Sequence, residues 1–161
     1  MMRLHLSVAL VALLSPAATA NEASIVGTWK FQSFVREVSA TGERQKEFGE
    51  RPGGYISYQP DGRMFAVLVA DNRIKASGAS PTDEEKAKLF GTLIAYSGTY
   101  VLEGDKVTHK IDVSWNQSWT GADQVRFYKV EGNTLTITTA INKNPRDGRE
   151  GRAVAVFTKT Q

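Results

Sequence analysis

From Ser24 onward, apolar and polar residues alternate in short runs, and turn-forming residues cut those runs at close intervals. Successive side chains of a strand point to opposite faces, so each run describes a half-buried strand. Eight runs qualify: IVGTWKFQSFVREV, GGYISYQ, GRMFAVLVA, YSGTYVLEG, KVTHKIDVSW, DQVRFYKVE, NTLTITTAI and GRAVAVFTKT. In the first, Trp29, Phe31 and Val35 share one parity, and Lys30, Gln32 and Arg36 the other. The fifth places Val107, His109, Ile111, Val113 and Trp115 in one row, so a histidine stands among core residues.

Tight connections imply hairpins between consecutive strands. Gln59-Pro60-Asp61-Gly62 carries hairpin chemistry, and Glu103-Gly104-Asp105 and Glu131-Gly132-Asn133 are equally short. The alternation lapses once, over SPTDEEKAKLFGTLIAY. There Ser80 can cap a helix, Pro81 suits its first position, and Asp83, Glu84 and Glu85 lie near the positive end of its dipole. Phe90, Leu93 and Ile94 then form an apolar stripe. The pattern predicts an all-β fold: an eight-stranded antiparallel up-and-down β-barrel with one short helix, Pro81 to Tyr96, packed on the sheet or across an opening. Closure of the barrel removes the exposed sheet edges that invite aggregation.

The first 20 residues, MMRLHLSVALVALLSPAATA, read as a cleaved signal peptide: Arg3, an apolar run from Leu4 to Leu14, and the Ala18-Thr19-Ala20 cleavage pattern. Residues 21–161 then form one domain, expected in the periplasm or secreted, with no integral membrane segment after cleavage. The chain has no cysteine, hence no disulfide and no lipid-attachment site at the cleavage point. Of 20 basic residues, loss of Arg3 leaves 19 against 17 acidic ones, interspersed as in NKNPRDGREGR. No basic stripe suggests nucleic acid as a partner. His109 is the sole histidine beyond the leader, so no typical zinc site is expected, and neither a phosphate loop nor a Gly-x-Ser-x-Gly elbow occurs. No metal or cofactor is expected.

At GTWK, GERPGGYISYQPDGRM, AYSGTY and VTHKIDVSWNQSWTGADQVRFY the chain resembles the lipocalin-like domain family, over about Ser24 to Lys159. The resemblance implies a calycin-type barrel of eight strands. It also implies that Trp29 closes one end under a basic residue of the last strand. Here that residue is Lys159, in place of the family's arginine, and lysine lacks the planar guanidinium that stacks on an indole. The proline that precedes the Trp119 motif in the family is replaced by Gln117.

An eight-stranded barrel either fills with side chains or holds one small ligand. His109 has four readings: a neutral core imidazole satisfied by a neighbour, a polar contact for a ligand, a general acid or base, or a residue whose strand parity is misjudged. Gln124, Arg126 and Tyr128 alternate with Val125, Phe127 and Lys129, so hydrophobicity leaves the inward row open. The resemblance favours Gln124 and Arg126. An inward Arg126 needs a partner, which Asp112, Glu103 or a ligand carboxylate could supply. Tyr55, Tyr58, Tyr96, Tyr100, Trp115 and Trp119 complete the aromatic set, and the inward parity also takes in Ser33.

The leading expectation is an exported barrel that binds a small, mostly hydrophobic molecule, one that could carry a carboxylate. His109, Arg126 and Gln124 would be its polar contacts, and Tyr58, Tyr100 and Trp119 its wall or rim. Two other readings stand beside it. One is a small-molecule isomerase or cyclase using His109 as acid and base; the other is a filled barrel acting through its surface in an envelope or stress role.

Overall fold

The computed structural model describes residues 25–144 and 147–160. The leader expected over residues 1–20 lies outside the described residues. Ten strands and one helix follow in order: β1 Gly27–Val38, β2 Arg44–Lys46, β3 Gly53–Tyr58, β4 Arg63–Val69, α1 Asp83–Gly91, β5 Leu93–Glu103, β6 Lys106–Ser114, β7 Asp123–Glu131, β8 Thr134–Thr138, β9 Asn142–Lys143 and β10 Glu150–Lys159. All pairings are antiparallel. The ring runs β1-β3-β4-β5-β6-β7-β8-β10, and β10 returns to β1, Trp29 opposite Lys159 and Val38 opposite Gly151. The closed eight-stranded up-and-down barrel is therefore present. Two short strands not expected from the sequence, β2 on Val35–Glu37 and β9 on Glu150–Gly151, lengthen the wall at one end.

The hairpins form where the turn residues stand. Gly62 and Gln59 close the β3–β4 turn through backbone hydrogen bonds of 2.8 and 3.1 Å. Between β5 and β6 the turn is Gly104-Asp105, and Gly104 adopts a φ of +62°, which suits a residue without a Cβ.

Two irregularities change which side chains face inward. Between Phe31 and Ser33 the pairing of β1 with β10 shifts by one residue, so Gln32 is extra on β1. A one-residue insertion reverses the parity of everything beyond it. Beyond Gln32, Phe34 and Arg36 therefore turn inward, opposite Ala155 and Ala153, and Ser33 turns away. This corrects the expected row of Trp29, Phe31, Ser33 and Val35. The second bulge is in β6: Gly98 lies opposite Ile111 and Ser97 opposite Val113, which leaves Asp112 unpaired in the ladder. Val107, His109 and Ile111 are buried as the alternation requires, but Val113 is 59% exposed. Here the main chains approach so closely that a Cβ on Gly98 would lie 1.9 Å from the Lys110 carbonyl oxygen.

The helix is shorter than the composition suggests. Thr82 rather than Ser80 caps it, through a capping box in which the Thr82 side chain accepts from Glu85 N–H and the Glu85 carboxylate accepts from Thr82 N–H. It ends at Gly91, and Leu93, Ile94 and Tyr96 belong to β5 because β4 offers them a ladder, Val69 to Leu93 and Ala66 to Tyr96. None of its residues is buried. Among the described residues, no helix is long and apolar enough to cross a membrane.

The barrel is solid at one end. Trp29, Phe31, Tyr58, Met64, Val107, Leu135 and Phe157 are fully buried there, with Phe31 and Phe157 rings 5.3 Å apart. Trp29 donates its indole N–H to the Ile25 carbonyl at 2.8 Å, and Lys159 Nζ lies 5.2 Å from its ring centre. The lysine thus occupies the end-closing position as a point charge over the indole, a cation–π contact without planar stacking.

Candidate functional site

The other end is hollow. Above Ile56 and Phe157, a chamber of about 270 Å³ is walled by Phe34, Leu68, Ile94, Ile137, Ala153 and Ala155, and its polar lining is Arg36, Glu47, Tyr96, His109, Arg126 and Thr139, with Trp119 at its side. The small residues Ala153 and Ala155 leave space where larger ones would close it. The remaining walls come from β4, β5, β6, β7 and β8, so the whole ring contributes.

His109 sits on β6 beneath this chamber and is 1% exposed. Tyr58 Oη lies 2.9 Å from its Nε2, and Tyr96 Oη 3.0 Å from its Nδ1. Both imidazole nitrogens are therefore engaged within the protein. Burial, with Arg126 adding repulsion, pulls its pKa from 6.5 down to about 3, so the ring is neutral at ordinary pH. Burial also raises the two phenols: Tyr96 is pushed up to about 12 and Tyr58 well above its usual value. All three groups are thus uncharged near neutrality.

Arg126 faces inward from β7. Its strand parity, open in the sequence, is settled by burial: Tyr128 is buried, while Val125 and Phe127 are 48% and 37% exposed. One Nη2 N–H donates to Gln124 Oε1 and one Nη1 N–H to the Val125 carbonyl at 2.9 Å. Neither anticipated carboxylate reaches it, since Asp112 pairs with Arg63 at 2.6 Å on the outer wall and Glu103 is exposed. No ion pair to Arg126 occurs among the described residues. Burial lowers its guanidinium pKa, with the neighbouring phenols opposing.

The second guanidinium on the wall, Arg36, is 6% exposed and is occupied differently. Its Nη2 donates to the Asn142 carbonyl at 2.7 Å and to those of Arg149 and Gly151 at 3.3 and 3.4 Å, and Nη1 donates to Asn142 Oδ1 at 3.2 Å. Arg36 thereby ties the rim strand β9 to the barrel.

An aromatic series leads from the surface to the floor. Phe90, at the end of α1 and 50% exposed, faces Trp115 at 6.0 Å between ring centres. Trp115 meets Trp119 edge-on at 4.7 Å, Trp119 meets Tyr96 at 5.9 Å, and Tyr96 meets His109 at 5.7 Å. Trp119 ends the short 3₁₀ turn Gln117–Trp119, which Asn116 caps by accepting from Ser118 N–H. A second hollow of about the same volume, between Phe90, Leu93, Trp115 and Phe48, adjoins the chamber and shares Phe34, Ile94, Glu47 and Trp119 with it. The two hollows thus meet along a shared wall near the end of α1 and the Trp115–Trp119 turn.

Of the six residues expected around a ligand, His109, Arg126 and Trp119 line the chamber. Tyr58, Tyr100 and Gln124 stand behind it. Tyr58 holds His109, Gln124 holds Arg126, and Tyr100 donates its hydroxyl to the Gln59 carbonyl at 2.9 Å and packs edge-on against Tyr58. Arg36 and Phe34 were missed because their inward orientation depends on the bulge at Gln32. Tyr96, which the sequence offered beside Tyr100 as an inward residue at the junction of helix and strand, is the one of the two that lines the chamber and meets His109.

A closed antiparallel eight-stranded barrel, solid below and hollow above, is the architecture of a binding-type protein. The family model described as "Lipocalin-like domain" matches residues 26–160, and the chain belongs to that family. Among solved structures, an uncharacterized protein from Bacteroides eggerthii DSM 20697 is similar at 13% identity and a TM-score of 0.41, over 84% of this chain and 99% of that one. Rhizavidin is similar at 15% identity and a TM-score of 0.36, over 87% of this chain and 89% of its own. No curated protein matches the chain.

Proposed function

We propose that this protein is an exported barrel that holds one small, largely hydrophobic molecule in its hollow half. The observation that carries the reading is the chamber itself, apolar on most of its wall. Such a lining with a few convergent polar groups is the usual form of a small-molecule site. The chamber's volume of about 270 Å³ exceeds the roughly 150 Å³ of an apolar cavity that holds benzene, which sets the scale of the occupant.

The acid–base alternative draws less support. A pKa near 3 leaves His109 a weak base at neutral pH, and both its nitrogens already have tyrosine partners. The filled-barrel alternative is opposed by the chamber volume.

Native mass spectrometry of gently purified protein, with tryptophan fluorescence titration of mostly apolar molecules of about this size, tests the proposal. A bound small molecule is expected in the wild type and none in Ala155→Phe, whose ring would fill the chamber. Absence of binding across an alcohol, ester, acid and arene panel would overturn it. For export, the mature mass should correspond to cleavage after Ala20, and a full-length product retained in the cytoplasm would count against it.

A further inference from the structure

We propose that the chamber is an acid-binding site, in which Arg126 and the Tyr96 hydroxyl together hold one carboxylate of an otherwise apolar ligand; this rests on the ligand-holding reading above. The first ground is Arg126. A guanidinium carries five N–H donors, and here two are used, one on a side-chain amide and one on a main-chain carbonyl. A desolvated cation without a counter-charge is costly, and a bidentate carboxylate is the partner whose geometry matches its fork. The lining carries two guanidiniums against one carboxylate, Glu47, which is exposed. Arg36 spends Nη1 and Nη2 on Asn142 and two further main-chain carbonyls and keeps its buried Nε without a partner, so Arg126, with two of its five donors used, is the one with more to offer.

The second ground is the direction of the hydrogen bonds around His109. A neutral imidazole donates from one nitrogen and accepts at the other. Tyr58 is 0% exposed, and His109 Nε2 is its hydrogen-bond partner among the described residues. If Nε2 carried the proton, the Tyr58 hydroxyl hydrogen would be buried without an acceptor, which costs more than a hydrogen bond gains. Tyr58 therefore donates to Nε2, and Nδ1–H donates to Tyr96 Oη. The Tyr96 hydroxyl hydrogen is then left to point elsewhere, and Tyr96 lines the chamber beside Arg126. Tyr58 and His109 act as positioning residues: they fix Tyr96 as a donor into the cavity. A phenol and a guanidinium offering hydrogens to one space recognise an anion, and the apolar walls recognise its hydrocarbon part.

Octanoate, octan-1-ol and methyl octanoate, titrated by calorimetry into wild type, Arg126→Gln and Tyr96→Phe, separate the two readings. In wild type the acid should bind on the order of 10- to 100-fold tighter than the alcohol or ester, as expected for hydrogen bonds to a charged group. That ratio should fall to near one in Arg126→Gln and by roughly tenfold in Tyr96→Phe. Equal binding of all three in wild type overturns the acid site while leaving the chamber as a ligand site, and binding of none overturns both. Imidazole ¹⁵N NMR gives a readout that a purely structural histidine would not fix: a protonated Nδ1 and bare Nε2 are expected, and a protonated Nε2 refutes the network.

Discussion

Lowering the pH from 6.5 to 4.5 should destabilise this protein by an amount that a single residue sets. In the folded state the His109 pKa is depressed to about 3 from an ordinary 6.5, because burial disfavours the charged ring and the Arg126 guanidinium repels it. Between those two values the unfolded chain binds a proton that the folded one refuses. Stability is then fully present above about pH 6.5 and falls with decreasing pH, by at most about 1.4 kcal/mol for each unit. Across the interval from 6.5 to 4.5 the loss is about 2 kcal/mol, a large share of the 5–15 kcal/mol typical of a domain. Urea denaturation at half-unit pH steps measures it, with His109→Gln as the reference, since an amide can also donate and accept between two hydroxyls. Glu43, Asp71, Glu85 and Asp147 also have lowered pKa values, from hydrogen bonds and arginine neighbours, and they too lose stability as pH falls. Their losses begin nearer the ordinary carboxylate range of about 4 and cancel in the difference between variants. A wild type with flat stability over this interval, or a His109→Gln variant that keeps the full slope, would refute the reasoning.

Gly98→Ala should cost about 3 kcal/mol or more by thermal denaturation, because its Cβ would meet the Lys110 carbonyl oxygen at 1.9 Å and main chain cannot step aside as a side chain can. Lys159→Ala should cost about 0.5–1 kcal/mol, the contribution of an exposed cation over an indole, with Lys159→Arg as stable as wild type or slightly more so. Trp119→Ala removes edge contacts with Trp115 and Tyr96, each of a kind that contributes about 0.5–1.5 kcal/mol, and should speed octanoate release on the order of tenfold in stopped-flow fluorescence without shifting the His109 pKa.

Alternation and turn chemistry carried the fold because both are local: eight runs of period two and three tight turns specify a closed meander before any tertiary contact is known. The same locality limits the site. A period-two reading holds only until an extra residue enters a strand, and neither Gln32 nor Asp112 differs in kind from its neighbours. Gly98 alone gave a trace of the second bulge, as a glycine inside a strand often does. What the bulges accomplish can be read from the residues on either side. Before Gln32, β1 sends Trp29 and Phe31 into the solid end; beyond it, β1 sends Phe34 and Arg36 to the chamber wall. Before Asp112, β6 buries Val107, His109 and Ile111; beyond it, Val113 swings out to solvent and Ser114 faces Tyr96 across the ladder. The insertion at Gln32 falls where the filled core gives way to the cavity, and that at Asp112 falls beyond His109, which already lines it. An uninterrupted alternation would have carried Val35 and Val113 inward, making the upper half an apolar continuation of the plug. The bulges instead keep two valines off the lining and leave an arginine there. The register at Gln32 thus decides that β1 contributes Phe34 and Arg36 to the lining, while the space between the walls is left by Ala153 and Ala155 on β10.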